Sequence, residues 1–201
     1  MEGPLPPPTP YHRPVSNDPS KLQIVSYPAA VLRQKARQVV LPDAQLPAIA
    51  RRMLDLMNDA EGIGLAAPQV GLSIRLFVVD VPESEDRTID GPLPSATDGP
   101  VVYINPVITN PQGAPEPSEE GCLSLPDIRG QVLRPPTVTI TAHDLDGKEF
   151  TRTATGLLAR CWQHELDHLD GVLILDRMTQ MSRLRNRAAV RDLERQGGDS
   201  R

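Results

Sequence analysis

Aromatic side chains make up only 3% of the 201 residues, with one Trp, three Tyr and two Phe, so a core built from this chain must be aliphatic. Basic blocks are missing as well. A formal net charge of −5 without a Lys/Arg run leaves no electrostatic footprint for the nucleic-acid backbone or an acidic membrane. No window approaches the roughly 18 consecutive apolar residues of a membrane span, and the N-terminus lacks the charged-then-apolar layout of a signal peptide. The expected location is the cytoplasm. Cysteine is limited to Cys122 and Cys161, and a lone disulfide is not expected in such a chain. A ligand and a core thiol are the better expectations. What is present, 39% apolar residues in 201, suffices for one globular domain.

Proline is abundant, and seven of the prolines fall in residues 1–20 among polar neighbours without apolar periodicity. That stretch is expected to be a disordered arm, followed by a single domain over 21–196 and a short tail over 197–201. Lys21–Val25 suggests a short strand, and Tyr27-Pro28 a turn into a brief helical piece at Ala29–Arg33. Asp43 is a plausible N-cap for a helix running to about Ala60, with Leu46, Ile49, Met53, Leu54 and Met57 at helical spacing as core filling. Glu61–Gly71 contains three glycines and predicts a tight turn. It fails as a nucleotide loop, because no strand precedes it and no Gly-Lys-Ser/Thr follows.

Ser73–Val81 predicts a strand. Residues 82–100, with four prolines and five acidic residues, predict a mobile surface loop. Strand character resumes at Val101–Asn105 and Val107–Ile108 around Pro106, which implies an edge strand or a bulge. Pro111–Pro117 is turn-rich. Thr137–Ala142 and Glu149–Ala154 read as a hairpin closed at Asp146-Gly147. An Arg-rich helix with a solvated face is expected from about Met178 to Arg195.

The stretch His164-Glu165-Leu166-Asp167-His168 carries the chemistry. Residues four apart stack on one helical face, so His164 and His168 can reach one metal ion, while Glu165 falls beside it, where a base for a bound water belongs. The plainer reading, an exposed face with i,i+4 contacts, sits poorly with the apolar run upstream, because buried His, Glu and Asp need partners or a metal. A catalytic divalent ion takes three protein ligands and keeps one position open. The other histidines, His12 and His143, lie upstream, and Glu194 lies in the weakly apolar tail. Cys122, in a Gly-flanked turn, offers a soft ligand that suits Fe²⁺ or Zn²⁺.

Together, Gly62-Ile63-Gly64-Leu65-Ala66-Ala67-Pro68-Gln69, Glu120-Gly121-Cys122-Leu123-Ser124 and Gln163-His164-Glu165-Leu166-Asp167-His168 resemble the three motifs of the peptide deformylase family, in order and separation. The resemblance extends from about residue 22 to 180. It implies an α+β fold, with short antiparallel sheets around a central metal-binding helix and the N-terminal and C-terminal helices packed outside. It implies that Cys122, His164 and His168 hold one divalent ion, Fe²⁺ as the physiological metal and Zn²⁺ as the other option. Glu165 then serves as general acid and base for the water that attacks the formyl carbon, and the Gln69 amide and Leu123 N–H serve as oxyanion donors. The implied reaction removes the formyl group from the N-terminal formylmethionine of a nascent polypeptide and releases formate.

Ile63, Gly64 and Gly121 would pair with the substrate backbone, and Ile63, Leu125, Leu157 and Cys161 would receive the methionine side chain. A monomer is expected, acting in the neighbourhood of the ribosome without binding nucleic acid or membrane. Two alternatives stay open. A zinc endopeptidase would draw its third ligand from downstream, and a structural Cys-His-His site would need a fourth protein ligand, for which Cys161 is the cramped option.

Overall fold

The structure is a computed structural model that describes residues 18–83 and 92–198. It opens on a 3₁₀ turn at Pro19–Lys21, capped by the Asp18 carboxylate, which accepts from the Ser20 N–H at 3.0 Å. The strand predicted at Lys21–Val25 does not form. Lys21 belongs to the turn, and the Val25 N–H donates to the Gln69 carbonyl, in a later 3₁₀ turn that offers no strand edge. The brief helical piece is a 3₁₀ turn at Ala30–Arg33.

Helix α1 spans Leu46–Asp59 and buries Leu46, Ala50, Met53 and Met57, while Ile49 and Leu54, expected in the same stripe, are partly buried against that core. The buried Leu46, Met53 and Met57 side chains contribute about 1.5–3 kcal/mol each. The helix starts later than Asp43 suggested, because the Asp43 carboxylate accepts from the Gln45 N–H at 2.9 Å in a turn ahead of it. The Gly-rich segment is more ordered than a tight turn. It holds β1 (Gly64–Ala66) and a 3₁₀ turn at Ala67–Val70 that ends on Gly71, whose φ of 81° is left-handed.

Strand β2 (Leu76–Val79) is shorter than its prediction and buried throughout. Its alternating side chains enter two different cores: Phe77 and Val79 join Leu158, Ala159 and Trp162, while Leu76 and Val78 join Met53, Met57 and Leu65. Layers on both faces explain why its sequence is continuously apolar. The one long strand β3 (Val101–Gln112) absorbs both predicted pieces, and it is central, not an edge. The Pro106 problem is solved by a bulge, with a register shift between Ile104 and Val107 and Asn105 at φ 51°.

Strands β4 (Glu116–Cys122) and β5 (Leu125–Arg134) form a separate antiparallel pair. Strands β6 (Thr137–His143) and β7 (Glu149–Thr155) complete the larger sheet, whose order is β1-β2-β3-β6-β7 with every pairing antiparallel.

Residues 84–91 of the predicted loop, residues 1–17 of the predicted arm and residues 199–201 of the predicted tail lie outside the described residues. The remainder of the loop is anchored to the core: Thr97 N–H donates to Val81 O, Thr155 N–H to Pro94 O and Leu158 N–H to Ser95 O. Helix α2 (Gly156–Leu169) follows β7 directly and packs between the larger sheet and the β4–β5 pair. A short α3 (Ile174–Arg177) leads to α4 (Gln180–Gly198), which lies on β5 and runs past the predicted tail boundary at 197. The mixed architecture, with short antiparallel sheets around α2 and terminal helices outside, is the expected α+β class. Among the described residues, no helix is long and apolar enough to cross a membrane.

Candidate metal centre and active site

Helix geometry puts His164 and His168 on one face of α2, with ring centroids 5.0 Å apart. Cys122 arrives from the end of β4, where the register slips between Gly121 and Cys122 and lets the chain turn through Leu123 into β5. Its Sγ lies 3.2 Å from His168 Nε2, and the ligand atoms of Cys122, His164 and His168 all fall within 4.8 Å of one another.

Glu120, two residues before Cys122, sets the orientation of His164. Its Oε2 lies 3.1 Å from His164 Nδ1. Burial alone would raise the Glu120 carboxyl, but the hydrogen bond from His164 and the Arg134 guanidinium outweigh it and hold it at about 2. An ionised carboxylate only accepts, so His164 Nδ1 carries the proton and its Nε2 lone pair is left for a metal. Arg134 is buried as well. It forks onto Glu120, with Nε donating to Oε1 at 2.7 Å and Nη2 to Oε2 at 2.9 Å, and Nη1 donates to Asp167 Oδ2 at 2.9 Å. Asp167 also accepts from Arg177 Nη2 at 2.8 Å.

The donor set fits a divalent ion. It has one sulfur and two imidazole nitrogens, the combination that favours zinc or ferrous iron, and three ligands leave a fourth position for water. Next to it Glu165 is 4% exposed, and its buried Oε2 has no hydrogen-bond partner within the protein, as a group awaiting a water would. Burial pushes its carboxyl up to about 7 against the opposing charges of His164 and Arg134.

Gln69 is positioned by the 3₁₀ turn. Its Oε1 accepts from the Ala66 N–H at 2.8 Å, which turns Nε2 towards Cys122 Sγ at 3.5 Å and Ser124 Oγ at 3.4 Å. Gly64 is small out of necessity: a Cβ there would stand 2.5 Å from Glu165 Oε1 and 2.7 Å from Cys161 Sγ.

A cleft of about 830 Å³ opens onto this centre. Ile63, Gly64, Gln69, Gly121, Cys122, Leu123, Leu125, Leu157, Cys161, His164 and Glu165 all border it, so of the residues singled out in the sequence only His168 lies behind the surface. Burial pushes the Cys161 thiol well above its ordinary range, and its Sγ lies 3.6 Å from the Ile63 carbonyl, so it stays a protonated wall residue apart from the ligand group. Glu194 accepts from Tyr27 OH at 2.8 Å on α4 and takes no part in that group, while His12 lies outside the described residues.

Sequence reading gave no role to Glu120, Arg134 or Ser124. Glu120 and Ser124 stand inside the second motif, and a charged residue two positions from a candidate metal ligand was the available signal for Glu120. Arg134 sits in a strand that was not anticipated, and no local pattern marks it.

A family model for polypeptide deformylase matches residues 21–184. Among curated proteins, the peptide deformylase of Desulforudis audaxviator is 43% identical over 157 residues, covering 78% of this chain and 93% of that one. Peptide deformylase 2 of Gloeobacter violaceus is 46% identical over 149 residues, 74% of each chain. Among solved structures, a plant peptide deformylase superposes with a TM-score of 0.79 at 37% identity, covering 90% of this chain and 92% of the other. The Plasmodium falciparum enzyme superposes with a TM-score of 0.78 at 34% identity, covering 89% and 98%. A zinc endopeptidase finds no support in these matches. The converging motifs, the fold around α2 and these relatives together establish that the chain belongs to the peptide deformylase family, hydrolases of a linear amide C–N bond.

Proposed function

We propose that this protein removes the formyl group from the N-terminal formylmethionine of newly made polypeptides, using one divalent ion held by Cys122, His164 and His168. The observation that carries this reading is the buried, partnerless Oε2 of Glu165 beside that three-ligand group, at the floor of the cleft.

When bound, the ion supplies Lewis-acid activation of a water molecule. The protein groups do the rest. Glu165, with its carboxyl near neutrality, takes the proton of the attacking water at Oε2. The water oxygen adds to the formyl carbon, and the charge that builds on the formyl oxygen is met by the Gln69 Nε2–H and the Leu123 backbone N–H. The C–N bond then breaks, Glu165 returns the proton to the departing nitrogen, and formate and a free amine leave.

The peptide lies as an added strand against the main chain of Ile63, Gly64 and Gly121. Its methionine side chain enters the apolar wall of Ile63, Leu125, Leu157 and Cys161. Residues 21–196 act as one catalytic unit, monomeric and cytoplasmic, meeting substrate near the ribosome but not through nucleic-acid contacts. Fe²⁺ is the physiological ion in this reading, and Zn²⁺ occupies the same ligands. A ferrous ion beside a thiolate is prone to oxidation, so the test is anaerobic. Formate release from a formyl-Met peptide is measured alongside metal content, and metal-loaded protein that releases none refutes the proposal.

A further inference from the structure

Arg160 stands on α2 one turn before His164, its side chain 15% exposed at the wall of the cleft. Its guanidinium ties the helix to both strands of the β4–β5 pair. Nη1 donates to Glu120 Oε1 at 3.2 Å and to the Val132 carbonyl at 3.3 Å, and Nη2 donates to the Glu116 carbonyl at 3.2 Å. β4 pairs with β5 alone, and its residues from Glu116 to Cys122 border the same cleft as Ile63 and Gly64. A strand with one partner lacks a second ladder to hold its position. At about 3.3 Å per residue, the path from Cys122 back to Glu116 runs some 20 Å away from the metal ligands. That is room for several substrate residues beyond the first.

We propose that Arg160 is a positioning residue for extended substrates: it pins the Glu116 end of β4 to the metal-bearing helix and so holds the strand edge beside which the peptide beyond the formylated methionine lies. This rests on the deformylase reading above. The metal ligands do not depend on it, because Glu120 keeps its fork to Arg134 and its contact with His164 when Arg160 is removed. The planar fork of arginine matters here, since a lysine ammonium cannot span the same acceptors in fixed geometry.

The test compares a formylated dipeptide with a formylated pentapeptide of the same first two residues, on full-length, metal-loaded wild type, Arg160→Met and Arg160→Lys. Arg160→Met keeps the apolar stem and removes the fork. It is expected to raise KM for the pentapeptide about tenfold, with both kcat values and the dipeptide KM within about threefold and metal content unchanged. Arg160→Lys should recover part of the pentapeptide KM. Equal changes on both peptides, loss of metal, or no change on either would overturn the assignment. Should Arg160→Met fail to fold, Arg160→Lys decides: an unaltered ratio of the two KM values overturns it, a raised pentapeptide KM supports it. Wild type inactive on both peptides fells the deformylase reading, and this inference with it. Wild type active with length-independent variants fells this inference alone.

Discussion

The Glu120 carboxylate and the His164 ring meet at 3.1 Å, so a charged group 44 residues earlier in the chain decides which nitrogen of a candidate metal ligand carries the proton. Against its burial, that bond and a two-point fork from Arg134, itself buried, keep Glu120 ionised. Metal ligands held in this way by a carboxylate typically lose about 10–100-fold in metal affinity when the partner is removed.

Glu120→Ala is therefore expected to weaken metal binding by about 10–100-fold, read by chelator competition. It also leaves Arg134 buried with only Asp167, so chemical denaturation should show a loss of about 3–5 kcal/mol. Wild-type metal affinity in this variant would remove Glu120 from its orienting role.

The same carboxylate predicts a pH dependence. Its value in the folded protein, about 2, lies below the 4.5 of a free glutamate, so the stability it contributes is present above about 4.5 and is lost as pH falls towards about 2. Urea unfolding between these limits, with chelator present throughout, should show stability falling with pH, and Glu120→Gln should flatten that part of the curve. An unchanged slope would contradict the buried ion pair.

Gln69 and Glu165 separate by what they leave behind. Gln69→Ala should retain metal and lose about 10²–10³ in turnover, the usual cost of one oxyanion donor. Glu165→Ala should likewise retain metal, because Glu165 is not among the three ligands, with activity nearly abolished. Wild-type turnover in the first, or substantial activity in the second, would refute the respective role.

Gly64→Ala tests the closeness of β1 to the Glu165 carboxylate. The added methyl would stand 2.5 Å from Glu165 Oε1 and 2.7 Å from Cys161 Sγ, so one of them must move. A drop in kcat of about 10²-fold is expected, because misplacement by about 1 Å has that cost, with metal content unchanged. Steady-state kinetics at wild-type level would show that the site relaxes freely.

What could be read along the chain was whatever depends on neighbours in sequence. The pairing of His164 with His168 follows from the pitch of one helix, the buried stripe of α1 from the same periodicity, and the β6–β7 hairpin from alternation closed by Asp146-Gly147. The resemblance added Cys122 to that set before any geometry was available. Illegible were the β4–β5 pair and the ordered half of the 82–100 loop. Their prolines and charges mask strand character, and long-range hydrogen bonds hold them in place.

Residue types and local spacing were thus enough to single out the His164–His168 pair with Glu165 beside it, and the resemblance supplied Cys122 as the third candidate ligand. Their arrangement came from folding: the sulfur brought to 3.2 Å from His168 across 46 residues, the Arg134 side chain reaching Glu120 from opposite Glu116 on the paired strand, and the Gln69 amide turned by its bond to Ala66. A helix repeats its geometry from sequence alone, whereas contacts between distant segments exist only once sheet register and burial have selected them.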